Sequence, residues 1–317
     1  MSAVALSHGL ASHVFRHEAL FYAGDGEFVT AVSSFVREGV HAQEPVLVVV
    51  PGPKIEMLRW SLQGDAANVR FEDMEEVGRN PGRIMSIWGD FAENHASAPA
   101  VRGVGEPVWS RRTPDELIEC DRHERLLNLA FAEAPFWLVC PYDTTTLDRS
   151  VIEGAKRNHQ WTADQARRRG QGSLRLRSKN RDPAVGDFPD PPADAEVVEF
   201  DGNGLGNVRT VVSQLAEEHG LGAEAIEGLV LALNEVATNS VRYGGGNGVL
   251  RAWRTGTSFI CEVRDGGVIE DPLVGRFRPD PTADRGFGLW LANHLCDLVQ
   301  IRSGLGGSVV RLHMRLP

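Results

Sequence analysis

The sequence contains no run of about 18 apolar residues, the length a membrane-spanning helix needs. Its N-terminus also lacks a charged stretch followed by an apolar one, so no secretory signal is expected and the expected location is the cytoplasm. CxxC pairs are missing too. Cys120, Cys140, Cys261 and Cys296 are scattered, and each reads as a small buried apolar residue of a reducing compartment. His13 and His17 have ligand spacing for a helix, but no second pair or carboxylate cluster stands beside them in the sequence, so a zinc site is not expected there. Excess positive charge is absent as well. A formal charge of −10 argues against nonspecific attraction to nucleic acid, which needs clustered Lys and Arg. The one basic cluster, Arg167–Arg169 continuing through Arg175, Arg177, Lys179 and Arg181, lies in a Gly/Ser-containing segment and reads as a solvated linker.

What is present is ordinary globular composition: 317 residues, 42% hydrophobic and 24% charged, enough for two domains with real cores. From Glu18 onward, short apolar runs alternate with amphipathic helices. Strands are expected at 19–23, 45–50 (PVLVVV), 101–108 and 136–141 (FWLVCP), and helices at 27–42, 53–62, 81–95 and 114–132. Such alternation predicts an α/β domain with a parallel sheet covered by helices. Its first turn, Ala23-Gly24-Asp25-Gly26-Glu27-Phe28, stands where a phosphate-binding loop would be, yet the Lys and hydroxyl of GxxxxGK[ST] are missing. Asp25 and Glu27 would repel a triphosphate by about 1 kcal/mol per pair even in water at 4 Å. The segments HEALFYAGDGEFVTAVSSFVREGVHAQEPVLVVVP and FWLVCPYD resemble the MEDS sensory domain of methanogen and methylotroph regulators, related in outline to RecA-type ATPases. That resemblance covers residues 1–160 and implies a RecA-like sheet with a degenerate P-loop, sensing a small molecule or a partner without catalysis. Residues 161–195, rich in Arg, Gly, Pro and Asp, are expected to be a linker, with a hinge or partner-binding arm as the alternative.

The pattern changes over 196–317, where helices run beside strands of antiparallel type and predict an α+β sandwich. Strands are expected at 197–200, 248–254, 258–264, 298–302 and 308–314, and helices at 208–218, 223–243 and 288–295. Within the longest helix, Ile226, Leu229, Val230, Leu233, Val236, Ala237 and Val241 recur at intervals of three and four and mark its buried face. Glu235, Asn239 and Arg242 fall along one further stripe. A carboxamide oxygen suits Mg²⁺, and a carboxylate one turn away suits the activation of a nucleophile. The same stripe also suits an ordinary solvated face. Gly244–Gly246 are expected to stop the helix with a left-handed cap. Two further stretches bear on chemistry. Asp265-Gly266-Gly267 ends a strand, where a carboxylate can accept from the amine of adenine, although an Asp beginning a turn is also common. Arg285-Gly286-Phe287-Gly288 opens a helix, whose free N–H groups attract anions; alone it is merely a glycine-rich helix start.

Taken in order, NEVATNSVRYGG, DGG, RGFGL and GGSVVRL resemble the GHKL, or Bergerat-fold, ATP-binding domain, specifically the anti-sigma-factor serine kinases of the RsbW and SpoIIAB type. The resemblance implies ATP and Mg²⁺ as ligands, with Glu235 as general base, Asn239 as the Mg²⁺ ligand and Asp265 as the adenine-reading carboxylate. It further implies that Gly267 belongs to the adenine motif, Arg285, Gly286 and Gly288 to the phosphate-contacting lid, and Ser308 to the hydroxyl near adenine, where the family more often has Thr. The lid, residues 271–284, is expected to be mobile without nucleotide. By this resemblance the protein is a regulatory switch that phosphorylates an anti-sigma antagonist and sequesters a sigma factor; the related kinases are commonly dimers, so a homodimer is implied too. The alternative is a non-catalytic ATP-binding module that senses ligands and partners. An autophosphorylating histidine kinase is disfavoured. His17-Glu18 runs into a strand, and His123-Glu124 lacks the following Pro.

Overall fold

The computed structural model describes residues 15–159, 161–164, 167–170, 186, 188–280 and 286–317. The chain divides into two compact units, one built on the N-terminal sheet and one on the C-terminal sheet, the latter also taking in Arg79–Ser86.

The first unit alternates β1 (Arg16–Tyr22), α1 (Asp25–His41), β2 (Val46–Val50), α2 (Gly52–Leu62), β3 (Val69–Asp73), α3 (Met74–Val77), α4 (Ile84–Asn94), β4 (Val101–Gly105), α5 (Pro114–Ala130), β5 (Phe136–Asp143) and α6 (Arg149–Asn158), then closes with β6 (Trp161–Asp164) and β7 (Arg167–Gly170). Their order in the sheet is β3-β2-β4-β5-β1-β6-β7. Six strands are parallel and only β7 runs antiparallel, to β6. Every residue of β2 is buried, as a strand covered on both faces must be, and a β-branched run suits that setting. Helix α5 begins with Pro114 behind a capping box formed by Thr113 and Glu116, which satisfies two of the end groups that a helix leaves open. Two boundaries differ from expectation. Strands β6 and β7 carry the sheet into the segment expected to be linker from 161, because Glu18–Leu20 of β1 still has a free edge for Trp161–Ala163 to pair with. Strand β3, VRFED, was not anticipated: it is an edge strand, mostly half-buried and polar, so it lacks the apolar run of a central one.

The second unit comprises β8 (Glu196–Asp201), α7 (Leu205–Glu218), α8 (Ala223–Tyr243), β9 (Asn247–Arg254), β10 (Ser258–Asp265), α9 (Phe287–Leu295), β11 (Leu298–Gly304) and β12 (Gly307–Arg315). The sheet is antiparallel throughout, in the order β11-β12-β10-β9-β8. One face is apolar. Val208 and Val212 of α7, Leu229, Leu233 and Val236 of α8 and Leu289 of α9 pack with Leu250, Cys261, Val263 and Leu312 from the strands into a single core. The glycine run ends α8 as expected, at Tyr243. Gly244 has φ −96° and the left-handed conformation falls on Gly245 and Gly246. Gly244 is needed for space instead, since a Cβ there would come within 2.5 Å of Asp265 Cγ.

The opposite face of this sheet holds a buried ion network. Glu262 is fully buried and accepts from Arg311 Nε at 2.7 Å and Arg264 Nε at 2.6 Å, with Arg251 at 3.8 Å. Phe188 lies over Arg302 and Arg311 as a cation–π partner, so part of the presumed linker covers this face. Glu262→Ala strands buried guanidinium charge and is expected to cost about 3–5 kcal/mol. Urea unfolding followed by the fluorescence of Trp253 checks this; a loss well under that range would mean that water already reaches the arginines. Among the described residues no helix is long and apolar enough to cross a membrane.

Candidate functional site

A cavity of about 470 Å³ opens between α8, the end of β10, the start of α9 and β12. It lies in the size range of small-ligand sites. Glu235, Asn239 and Arg242 reach it from α8, as their spacing on one stripe requires; Glu235 and Asn239 are half-buried and Arg242 is exposed. Asp265 and Gly267 line it from the end of β10, and Gly286 and Gly288 from the start of α9. Ser308 enters from β12. The register pairs it directly with Asp265, so the strand ladder itself sets these two side by side. Seven of the eight site residues expected from the sequence therefore line one cavity, while Arg285 lies outside the described residues.

The geometry around Asp265 is tightly specified. Its Oδ2 accepts from Ser240 Oγ at 2.7 Å and its Oδ1 from the Gly267 N–H at 2.8 Å. Each carboxylate oxygen retains a second acceptor position, so the group can still accept from a ligand. Ser308 Oγ donates to the Gly267 carbonyl at 2.9 Å and takes the hydroxyl of Ser303 at 3.1 Å, whose oxygen in turn accepts the Ile269 N–H at 2.7 Å. These bonds fix the turn after β10. Gly267 has no room for a side chain: its Cβ would lie 2.7 Å from the Tyr243 carbonyl. Val268, Ile269 and Val274 add an apolar wall suited to the faces of a flat ring.

At the other end, Gly286 caps α9 in the left-handed conformation, φ 94°, and accepts the Trp290 N–H. The N–H groups of the first turn of α9 are thus left for an anion. A Cβ on Gly288 would sit 2.8 Å from Glu235 Oε2 and 3.5 Å from Asn239 Nδ2, which shows how closely this turn approaches the polar stripe of α8. Of the expected lid, residues 271–280 are described and 281–284 lie outside the described residues. Gly275, φ 73°, lies against Leu289, and its carbonyl accepts from Asn293 Nδ2 at 2.9 Å. Within the same unit Asn80 Nδ2 donates to the Asn293 carbonyl at 2.9 Å, and Ser86 Oγ to the Arg276 carbonyl at 2.8 Å.

Sequence reasoning missed Ser240, the residue that orients the carboxylate of Asp265. It follows Asn239 on α8 and points to the buried side, where a lone serine among apolar residues was the available signal. Ser240→Ala leaves one oxygen of Asp265 without its donor, and is expected to weaken any ligand held by that carboxylate by about 0.5–1.5 kcal/mol. Calorimetric titration with Mg·ATP measures it; an unchanged affinity would show that Asp265 needs no such support.

Residues 16–160 match the MEDS family, the MEthanogen/methylotroph, DcmR Sensory domain. Residues 198–314, which contain the whole cavity lining, match the histidine kinase-like ATPase domain. The chain joins a MEDS domain to a histidine kinase-like ATPase domain. Cavity, glycine turns and polar stripe all fall within the residues matched by the ATPase domain, and the residues matched by the MEDS domain hold the parallel strands β1 to β5. No curated protein matches the chain. Among solved structures, the RsbU and RsbW domains of a Mycobacterium tuberculosis protein match at 22% identity with a TM-score of 0.29, over 38% of this chain and 32% of that one. The chain thus spans about a third of that neighbour's length.

Proposed function

We propose that the ATPase domain has the Bergerat fold and works as an anti-sigma factor and protein serine/threonine kinase in the cytoplasm. In this reading it phosphorylates an anti-sigma antagonist and sequesters a sigma factor, under control of the MEDS domain. The observation that carries the reading is that Glu235 and Asn239, one helical turn apart on α8, face the glycine turn of α9 inside the cavity that Asp265 and Ser308 close. ATP bound with Mg²⁺ would supply the phosphoryl group and the ion that neutralises its charge. The cradle fits such a ligand, because three glycines, Gly244, Gly267 and Gly288, stand where side chains would collide with the surrounding wall.

Each residue has a part that follows from its chemistry. Asp265 accepts from the base amine, a charge-assisted bond stronger than a neutral one, and Gly267 lets the base approach the backbone. Ser308 holds the turn beneath it. Asn239 offers a neutral oxygen to Mg²⁺. Gly286 and Gly288 leave the first amides of α9 open to phosphate, and Arg285 adds positive charge next to them in the sequence. Glu235 orders the acceptor hydroxyl and takes its proton. Phosphorylation of the antagonist would add charge and detach it from a complementary surface, freeing the kinase to hold the sigma factor.

For the MEDS domain we propose a ligand- or partner-sensing role on a degenerate nucleotide-binding loop. Glu27 supports this, since its carboxylate accepts the Ala23 N–H at 2.8 Å and so puts a fixed negative charge at the helix start where a phosphate would lie. Affinity capture with the full chain, with and without Mg·ATP, tests the assembly. A sigma factor retained in a nucleotide-dependent way is the expected result, and capture indifferent to nucleotide contradicts the switch.

A further inference from the structure

Deep in the MEDS domain, four side chains from separate elements meet: His17 of β1, Glu124 of α5, Cys140 of β5 and His159 just after α6. All are buried, and their donor atoms lie within 4.8 Å of one another. His17 Nε2 is 2.9 Å and His159 Nε2 3.1 Å from the same oxygen of Glu124, and Cys140 Sγ is 3.4 Å from His17 Nε2.

The hydrogen-bond network around the rings decides which atoms carry lone pairs. His159 Nδ1 lies 2.8 Å from the Ala155 carbonyl, which can only accept, so the proton sits on Nδ1. His17 Nδ1 lies 3.2 Å from Asn128 Oδ1, while the amide of Asn128 donates to the carbonyls of Glu124 and Asn158. That ring too carries its proton on Nδ1. With Nδ1 of both rings engaged, Nε2 is the atom each ring turns toward Glu124, and no donor meets hydrogen-bond geometry at either oxygen of Glu124 or at His159 Nε2.

We propose that His17, Glu124, Cys140 and His159 form a buried binding site for a zinc ion. Two imidazoles, a carboxylate and a thiolate are a donor set zinc takes, and zinc–ligand lengths of about 2.0–2.3 Å place tetrahedral donors about 3.3–3.8 Å apart, which the observed separations bracket. The charges close as well. A dication with one carboxylate, one thiolate and two neutral rings sums to zero, the state burial favours. Binding releases the thiol proton of Cys140 to solvent. The Nδ1 bonds to Ala155 and Asn128 are the outer contacts that orient ligating histidines. Zinc was not expected from sequence because His17 has no ligand near it there; the other three arrive from 107 to 142 residues away (124 − 17 and 159 − 17).

The test uses the full chain, stripped with a chelator, reloaded with Zn²⁺, freed of unbound metal and analysed by mass spectrometry of its elements. Close to one zinc per chain is expected. Co²⁺ in place of zinc is expected to give intense visible bands of tetrahedral type and a near-ultraviolet thiolate band, the latter lost in Cys140→Ser. Asn128→Ala keeps all four donors and is expected to weaken zinc by about 10–100-fold. Less than a tenth of an equivalent of zinc after reloading overturns the proposal, as does a cobalt spectrum of the unmodified chain without a thiolate band. The last readout requires no variant to fold.

Discussion

Glu235→Ala is expected to lower phosphoryl transfer to the antagonist by about 10²–10⁴-fold, the usual contribution of a positioned general base. Nucleotide affinity should change little. Glu235 lies beside the glycine turn of α9 but makes none of the contacts that hold the base pocket, which are supplied by Asp265, Ser308 and the turn after β10. Single-turnover transfer from radiolabelled ATP, together with a binding titration on the same variant, separates the two effects. Transfer at the unmodified rate would remove Glu235 as the base. A parallel loss of binding would mean that the carboxylate instead shapes the phosphate end of the cavity.

At the base end, Asp265→Asn is expected to weaken ATP by about 1.5–3 kcal/mol, the range for hydrogen bonds to charged groups. That corresponds to about 10–150-fold in affinity. The substitution conserves shape but not pairing. Both oxygens of Asp265 already accept, one from Ser240 and one from the Gly267 N–H; a carboxamide that keeps the Gly267 bond sets its NH₂ toward Ser240 Oγ, which must turn its proton to the Val236 carbonyl, and the acceptor facing the ligand is then no longer charged. Preference for ATP over GTP should fall together with affinity, because GTP presents a carbonyl where ATP presents the amine. Competition between the two nucleotides measures the preference. Retained discrimination in the variant would locate base reading elsewhere.

Much of this site was legible in the sequence because its chemistry rides on regular elements. The period of the apolar residues marks α8 and the glycine run after Tyr243 marks its end, and once that helix is laid down, Glu235 and Asn239 must share a face. Asp265 ends a strand and Ser308 lies near the start of another, so one cross-strand register brings them together. What escaped has equally physical grounds. Ser240 acts through one long-range hydrogen bond that no local pattern encodes. Within the glycine run that caps α8, the further need for Gly244 to be small comes from the side chain of Asp265, which no local pattern reveals. In the first unit, β3 is a polar edge strand without the apolar run of a central one. The four-donor cluster around Glu124 spans β1, α5, β5 and the end of α6; sheet pairing joins β1 to β5, and tertiary packing must bring in the two helices.

Isothermal titration of Mg·ATP into the full chain, and into Asn239→Ala, tests the central claim most directly. A saturable one-to-one heat that needs Mg²⁺ in the unmodified chain and is lost in the variant is the predicted result. No heat in the unmodified chain, or undiminished Mg²⁺-dependent binding by Asn239→Ala, would contradict it.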